Sequence, residues 1–158
     1  VKEFEFNLNG RRKIRDKYDL NNSLVLGNVG RLTQQKNQIF SLKIMQKLSK
    51  KIPNSKLILL GQGEDEKILR KKVKELKIEK NVIFAGVQKN VNDWYSSFDL
   101  LLLTSLYEGL PLTAVEAQAN GITMIVNKAV VPKPVSYTHL PSQDTPSNHL
   151  CRLHLEKK

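Results

Sequence analysis

Five short, uninterrupted apolar runs, each followed by a stretch of helical character, constrain this chain more than any other feature. Leu24-Val25-Leu26-Gly27-Asn28-Val29 reads as a buried strand ending at Gly30. Leu57 to Leu60, Val82 to Phe84, Leu100 to Leu103 and Ile122 to Val126 repeat the pattern. Between the first two runs, Ile39, Leu42, Met45, Leu48 and Ile52 recur at spacings of three and four, which places them on one face of a helix. Pro53-Asn54 ends that helix. Glu64, Asp65 and Glu66 put negative charge into the first turn of a second helix, where the macrodipole favours it, and Leu69, Val73 and Leu76 form its apolar stripe. Val91 to Phe98 reads as a short third helix. Pro111 suits the first position of a fourth, which Ala114, Val115, Ala117 and Ala119 continue and Gly121 stops.

Strands with no polar alternation must be covered on both faces, and strand–helix repetition makes their sheet parallel. The expected fold is therefore α/β, a Rossmann-like parallel sheet with helices on both faces and right-handed crossovers. The 158 residues suffice for one domain of ordinary size. Residues 1–23 read as a lead-in segment with a short helix around Arg11 to Arg15, and residues 24–130 as the α/β domain. Residues 131–158 change character: Pro132, Pro134, Pro141 and Pro146 stand among Ser, Thr, Gln and Asn without apolar period. That tail is expected to be irregular and, after about Pro134, non-native, the product of a truncated or shifted reading frame. No apolar run approaches the roughly 18 residues of a membrane span, and the first residues have no signal-peptide pattern. A single cysteine, Cys151, gives no internal disulfide and fits a reducing compartment, so the expected location is the cytoplasm, including the inner face of the membrane.

The formal net charge is +11, and the first 130 residues carry 22 cations and 13 acids, a net of +9. That balance favours anionic partners such as phosphates, nucleic acid or a membrane surface. Lysines that merely solvate helix faces give the same total, so charge alone does not choose.

In open parallel sheets ligands bind beyond the carboxyl ends of the strands, near the point where strand order reverses. Three clusters fall at such ends. After the first strand, Gly30 lets backbone approach a ligand, and Arg31 and Lys36 offer a planar fork and a point charge for phosphate oxygens. After the fourth strand, Glu108-Gly109-Leu110-Pro111-Leu112-Thr113-Ala114-Val115-Glu116 opens a helix. Gly109 is expected to allow a tight turn, and the free N–H groups of Leu112 and Thr113 to face an anion. Glu108 and Glu116 are expected to point into the same crevice, where carboxylates accept hydrogen bonds from sugar hydroxyls. Glu116, among alanines, requires a partner for its charge. The third cluster pairs Gly61-Gln62-Gly63 with Gly86-Val87-Gln88, where ordinary turn chemistry is the better account from spacing alone.

The stretch from Leu24 to about Val130 resembles the C-terminal, donor-binding half of the GT-B fold as found in family-4 retaining glycosyltransferases. The resemblance rests on Asn28-Val29-Gly30-Arg31-Leu32 followed by Lys36-Asn37, on Leu57 to Gly63, on Val82 to Gly86, and on the two-glutamate motif from Glu108 to Glu116. It implies that Arg31 and Lys36 hold the donor diphosphate and that Glu108 binds hydroxyls of the transferred sugar. Gly30, Gly109, Leu110, Leu112 and Thr113 would line the sugar and phosphate, Glu116 would grip the ribose, and Gly86, Val87 and Gln88 would line the base pocket. Implied partners are a nucleoside-diphosphate sugar, with UDP as the expected nucleotide, and a glycan or lipid-linked acceptor reached through an N-terminal domain. No cofactor or metal is expected. A peripheral membrane contact is compatible with the basic surface.

Two other readings remain open on sequence. One is a basic nucleic-acid-binding module, which has the charge but no aromatic stacking cluster, glycine-rich RNA loop or helix-turn-helix spacing. The other is a nucleotide-sugar epimerase of the same architecture. His149, Cys151 and His154 in the tail have no acidic ligand or second cysteine pair to complete a metal site.

Overall fold

A computed structural model describes residues 2–109 and 111–130. Five parallel strands form one sheet: β1 (Leu24–Val29), β2 (Ser55–Leu60), β3 (Val82–Gly86), β4 (Leu100–Leu103) and β5 (Thr123–Val126), in the order β3-β2-β1-β4-β5. The helices are α1 (Leu8–Lys17), α2 (Gln38–Lys51), α3 (Glu66–Glu75), α4 (Val91–Ser97) and α5 (Leu112–Asn120). All five expected strands and the helices between them are present, and the sheet is parallel with both faces covered. The tail beyond Val130, with its three histidines and Cys151, lies outside the described residues.

Side chains alternate across the sheet and sort the core into two layers. Val25, Ile58, Leu60, Leu101 and Leu103 point to one face, where Ile14 of α1, Trp94 and Tyr95 of α4 and Ala117 of α5 meet them. Leu26, Leu57, Leu59 and Leu102 point to the other, against Leu42 and Met45 of α2 and Leu69 and Val73 of α3. Because every strand is sandwiched, neither face tolerates the polar alternation of a half-exposed sheet.

The lead-in segment shares the first of these cores. Asn7 caps α1 by accepting a hydrogen bond from the Gly10 N–H, and Leu20 is fully buried. Arg11 and Arg15 reach from α1 to Asp99 at 2.7 and 3.2 Å, and Asp99 Oδ2 also accepts from the Val25 N–H at 2.8 Å. Burial raises the Asp99 carboxyl, but the Arg11 hydrogen bond, the Val25 N–H and the two guanidinium charges outweigh it and hold the group below its ordinary range. This knot ties the amino ends of β1 and β4 together, at the end of the sheet opposite the loops that follow the strands.

One local expectation needs correction. Pro111 is the residue before α5 and not its first helical residue: its φ of −75° suits a helix but its ψ of 89° is extended, and its carbonyl accepts from the Ala114 N–H at 2.8 Å. Just before it, Gly109 has no positive φ, and a Cβ placed there meets nothing within 4 Å.

Candidate functional site

The chain runs outward from β1 to β2 and β3, then returns past β1 to lay β4 on its other side. Strand order therefore reverses between β1 and β4, and the loops leaving their carboxyl ends splay apart over a crevice. The β1–α2 loop is residues 30–37 and the β4–α5 loop residues 104–111.

These loops are fastened to one another by a buried polar network. Asn28, 4% exposed on a central strand, donates from Nδ2 to the Leu102 carbonyl, Ser41 Oγ and Thr104 Oγ1. Thr104 Oγ1 in turn donates to the Lys36 carbonyl at 3.0 Å, and Asn37 Nδ2 donates to the Thr104 carbonyl. Further out, the Leu106 N–H donates to the Gln35 carbonyl and Gln35 Nε2 to the Tyr107 carbonyl. A satisfied network of this kind fixes geometry because each member would cost free energy if left unpaired.

What the latch holds in place is an ion pair. Lys36 Nζ lies 2.5 Å from Glu108 Oε1, and Ser105 Oγ donates to the same oxygen at 2.7 Å. The side chains are only 21% and 9% exposed. Burial pushes the Glu108 carboxyl up, yet the hydrogen bonds from Lys36 and Ser105 and the lysine charge prevail and hold it below its ordinary value. Glu108 is therefore an anionic acceptor at neutral pH. Gly30, at φ +145°, runs against this pair: a Cβ there would stand 3.3 Å from Lys36 Cε.

Arg31 lies on the β2 side of the crevice. An open cleft of about 640 Å³ is lined there by Arg31, Gly61, Gln62, Gly63, Glu66 and Val87. Its glycines have a steric reason to be glycine, because a Cβ on Gly61 or Gly63 would collide with the carbonyl of Gly30 or of Leu32. The Leu32 N–H donates to the Gln62 carbonyl, which seals the two loops together. Arg31 makes one long contact, 3.6 Å to Glu64, with side chains 75% and 64% exposed, so its guanidinium is barely committed. Val87 is 66% exposed, which suits a surface that awaits an apolar or planar group. Gln88 does not line this cleft: its Nε2 donates back to the Ala85 carbonyl at 2.6 Å.

On the β4 side, α5 begins at Leu112. The first bond of the helix is donated by Ala114 to the Pro111 carbonyl, leaving the Leu112 and Thr113 N–H groups ahead of it. Thr113 Oγ1 is buried without a hydrogen-bond partner. Glu116 finds its partner in Tyr95, a residue no sequence signal marked. The fully buried Tyr95 on α4 donates its hydroxyl to Glu116 Oε2 at 2.7 Å. Burial first, then the bond to Glu116 and its charge, raise the Tyr95 phenol well above its ordinary value and keep it a donor. Glu108 and Glu116 thus answer to different partners, and one Glu116 oxygen remains beyond the tyrosine bond. Leu110 lies outside the described residues. Among the described residues, no group of three or more His, Cys, Asp or Glu is placed to hold a metal ion.

With this geometry in hand, comparison with known proteins decides the family. The family model for glycosyl transferases group 1 matches residues 10–135, most of the chain. This chain belongs to that family. Among curated relatives, it is 38% identical over 103 residues to an uncharacterized glycosyltransferase of Methanocaldococcus jannaschii, covering 65% of this chain and 25% of the relative. It is 30% identical over 109 residues to the UDP-Gal:alpha-D-GlcNAc-diphosphoundecaprenol alpha-1,3-galactosyltransferase of Escherichia coli, covering 67% and 28%. Among solved structures it resembles HepE of Anabaena in complex with UDP-glucose, with a TM-score of 0.71 and 26% identity over 81% of this chain and 36% of that one. The chain therefore spans between a quarter and a third of the length of these curated relatives. It corresponds to the C-terminal, donor-side domain of a GT-B glycosyltransferase.

Proposed function

We propose that this glycosyltransferase domain binds a nucleoside-diphosphate sugar, UDP-linked, and serves a retaining hexosyltransferase whose acceptor is a glycan or lipid-linked glycan. The observation that carries the reading is the Lys36–Glu108 pair, held by the latch at the reversal point beside the opening turn of α5. In this reading Arg31 and Lys36 face the diphosphate and take up the charge that develops on the departing nucleotide. Fixed cations and the Leu112 and Thr113 N–H groups then do what a metal ion does elsewhere. Gly30 and Gly109 keep backbone close to the donor, and Leu110 adds a further N–H. Glu108, anionic and already oriented by Lys36 and Ser105, accepts from hydroxyls of the transferred sugar. Glu116, oriented by Tyr95, takes the ribose hydroxyls with its remaining capacity. Gly86 and Val87 form the base-side wall, and Gln88 contributes backbone there because its side chain is turned inward. The UDP-glucose complex of the Anabaena relative and the UDP-Gal donor in the name of the Escherichia coli relative support the choice of nucleotide. The acceptor and the remaining catalytic contacts fall to a second domain, as the length of the relatives allows; this domain alone binds donor without turnover.

Isothermal titration with UDP, UMP, ADP and UDP-sugars tests the reading. UDP should bind more tightly than UMP, because the second phosphate meets Arg31 and Lys36. A folded sample that binds none of these ligands, or binds UMP and UDP equally, overturns it.

A further inference from the structure

The net charge of the chain has a location that the donor site does not use. No Asp or Glu occurs between Asp19 and Glu64. From residue 38 to residue 77 there are eleven Lys and Arg against four acids. Folding lays α2 and α3 side by side on one face of the sheet, packed through Leu42, Met45, Leu69 and Val73. Lys43, Lys47 and Lys50 recur at spacings of four and three, opposite the buried stripe of α2, with Lys51 beside them. Lys67, Lys71 and Lys74 do the same on α3. The two rows therefore face away from the sheet in the same direction. None of these seven lysines is in a salt bridge among the described residues, although Lys71 lies within Coulombic reach of Glu75.

Lysines that only keep a helix in solution work best interleaved with acids. Like charges three and four residues apart repel and weaken the helix that carries them. α2 contains three such pairs of lysines, Lys43–Lys47, Lys47–Lys50 and Lys47–Lys51, and contains no acid to offset them.

We propose that the outward face of α2 and α3 is a docking surface for a bilayer rich in anionic phospholipid. A row on each of two parallel-packed helices, α2 alone about 21 Å long, presents a broad array of mobile point charges that suits a plane of headgroups. Ile68 of α3, 56% exposed, stands beside Lys67 and can enter the interface. Nucleic acid is the poorer fit, because the face carries a single aromatic, the half-buried Phe40, where stacking on successive bases needs several, and its one arginine, Arg70, is engaged by Glu66 and by the Phe84 ring. α2 starts at the crevice and runs back toward the amino ends of the strands. Docking on its outer side therefore leaves the mouth of the donor crevice free at the edge of the contact. The inference is independent of which nucleotide the crevice takes.

Flotation of the whole chain with vesicles of phosphatidylcholine, with and without phosphatidylglycerol, tests it. Binding should require phosphatidylglycerol and weaken with salt. The triple variant Lys43→Gln/Lys47→Gln/Lys50→Gln should lose affinity on the order of 100-fold, at roughly fivefold per lysine. The variant Lys67→Gln/Lys71→Gln/Lys74→Gln should behave alike. Arg12→Gln/Lys13→Gln/Lys17→Gln removes the same charge from exposed positions of α1, across the sheet, and should bind as the parent does. Melting curves establish that each variant is folded. Absence of binding to anionic vesicles overturns the proposal, as does equal loss in the α1 variant, which would reduce the effect to net charge. Displacement from vesicles by a single-stranded oligonucleotide of matched charge, through the same lysines, would overturn it in favour of nucleic acid.

Discussion

Replacing Lys36 by Met should produce a stability defect whose size depends on pH in a direction fixed by Glu108. In the parent protein the Glu108 carboxyl is 9% exposed and shares one oxygen between Lys36 and Ser105. Met fills most of the space of the lysine stem but leaves a nearly buried anion with a single hydroxyl partner. Breaking a buried pair from one side costs roughly 3–5 kcal/mol, and the partial exposure of Lys36 argues for about 3 kcal/mol. With a urea dependence of about 2 kcal/mol/M, the midpoint should fall by about 1.5 M at pH 7. The pH dependence follows from linkage. In the parent the folded carboxyl is depressed below its ordinary 4.5, so its contribution is present above that value and is lost as pH falls through the folded value. In the variant the lysine contributions vanish, burial dominates, and the folded carboxyl rises. Its protonation then favours the folded state as pH falls. The gap between parent and variant should therefore narrow by about 1 kcal/mol or more between pH 7 and pH 4. Adding Glu108→Gln should recover most of the loss, since no unpaired charge remains. A gap of constant size at the two pH values, or a double variant no better than the single one, would refute the reasoning.

Other consequences can be measured separately. Tyr95→Phe removes the hydroxyl that orients Glu116, and should reduce the affinity advantage of UDP over 2′,3′-dideoxy-UDP by about tenfold while affecting the dideoxy ligand little. Loss of both affinities in proportion would mean that Tyr95 only supports the fold. Because burial and Glu116 raise its phenol, Tyr95 should remain neutral when ordinary tyrosines ionise near pH 10. Tyrosinate absorbance up to pH 11 should then be the same in the parent and in Tyr95→Phe, and a smaller signal in the variant contradicts the buried hydrogen bond. Gly63→Ala forces a methyl group against the Leu32 carbonyl, and should cost about 2 kcal/mol with a melting point lower by roughly 6 °C. An unchanged melting point would show that the loop yields easily.

The strands were legible because each is a continuous apolar run, and burial on both faces is the only way a sheet accommodates such runs. α2 and α3 were legible because their apolar residues keep a period near 3.6. The boundary at Pro111 was not, since proline fixes φ alone and its ψ is set by the loop that leads to Glu108. The site was legible where the rule for carboxyl ends of parallel strands is enough: the loops after β1 and β4 bring Gly30, Lys36 and Glu108 together. It was not legible where partners come from elements distant in sequence. Asn28 sits in an apolar strand and reads as an exception until Ser41 and Thr104 close around it. Tyr95 reads as one more core aromatic until α4 brings its hydroxyl to Glu116. Arg31 and Gln88 show the converse, since the direction of a side chain in a loop depends on neighbours that spacing does not reveal. The lysines of α2 and α3 become one surface only when the two helices lie together.

The central claim is that a diphosphate binds at the reversal point between β1 and β4, on Arg31, Lys36 and the opening turn of α5. Amide chemical-shift mapping during titration with UDP tests it most directly. The account predicts saturable shifts at Gly30, Arg31, Lys36, Leu112 and Thr113, with Gly86 and Val87 moving on the base side, and smaller shifts at the first group with UMP. Shifts confined to α1 and the amino ends of the strands, or none in a folded sample at high UDP, would contradict it.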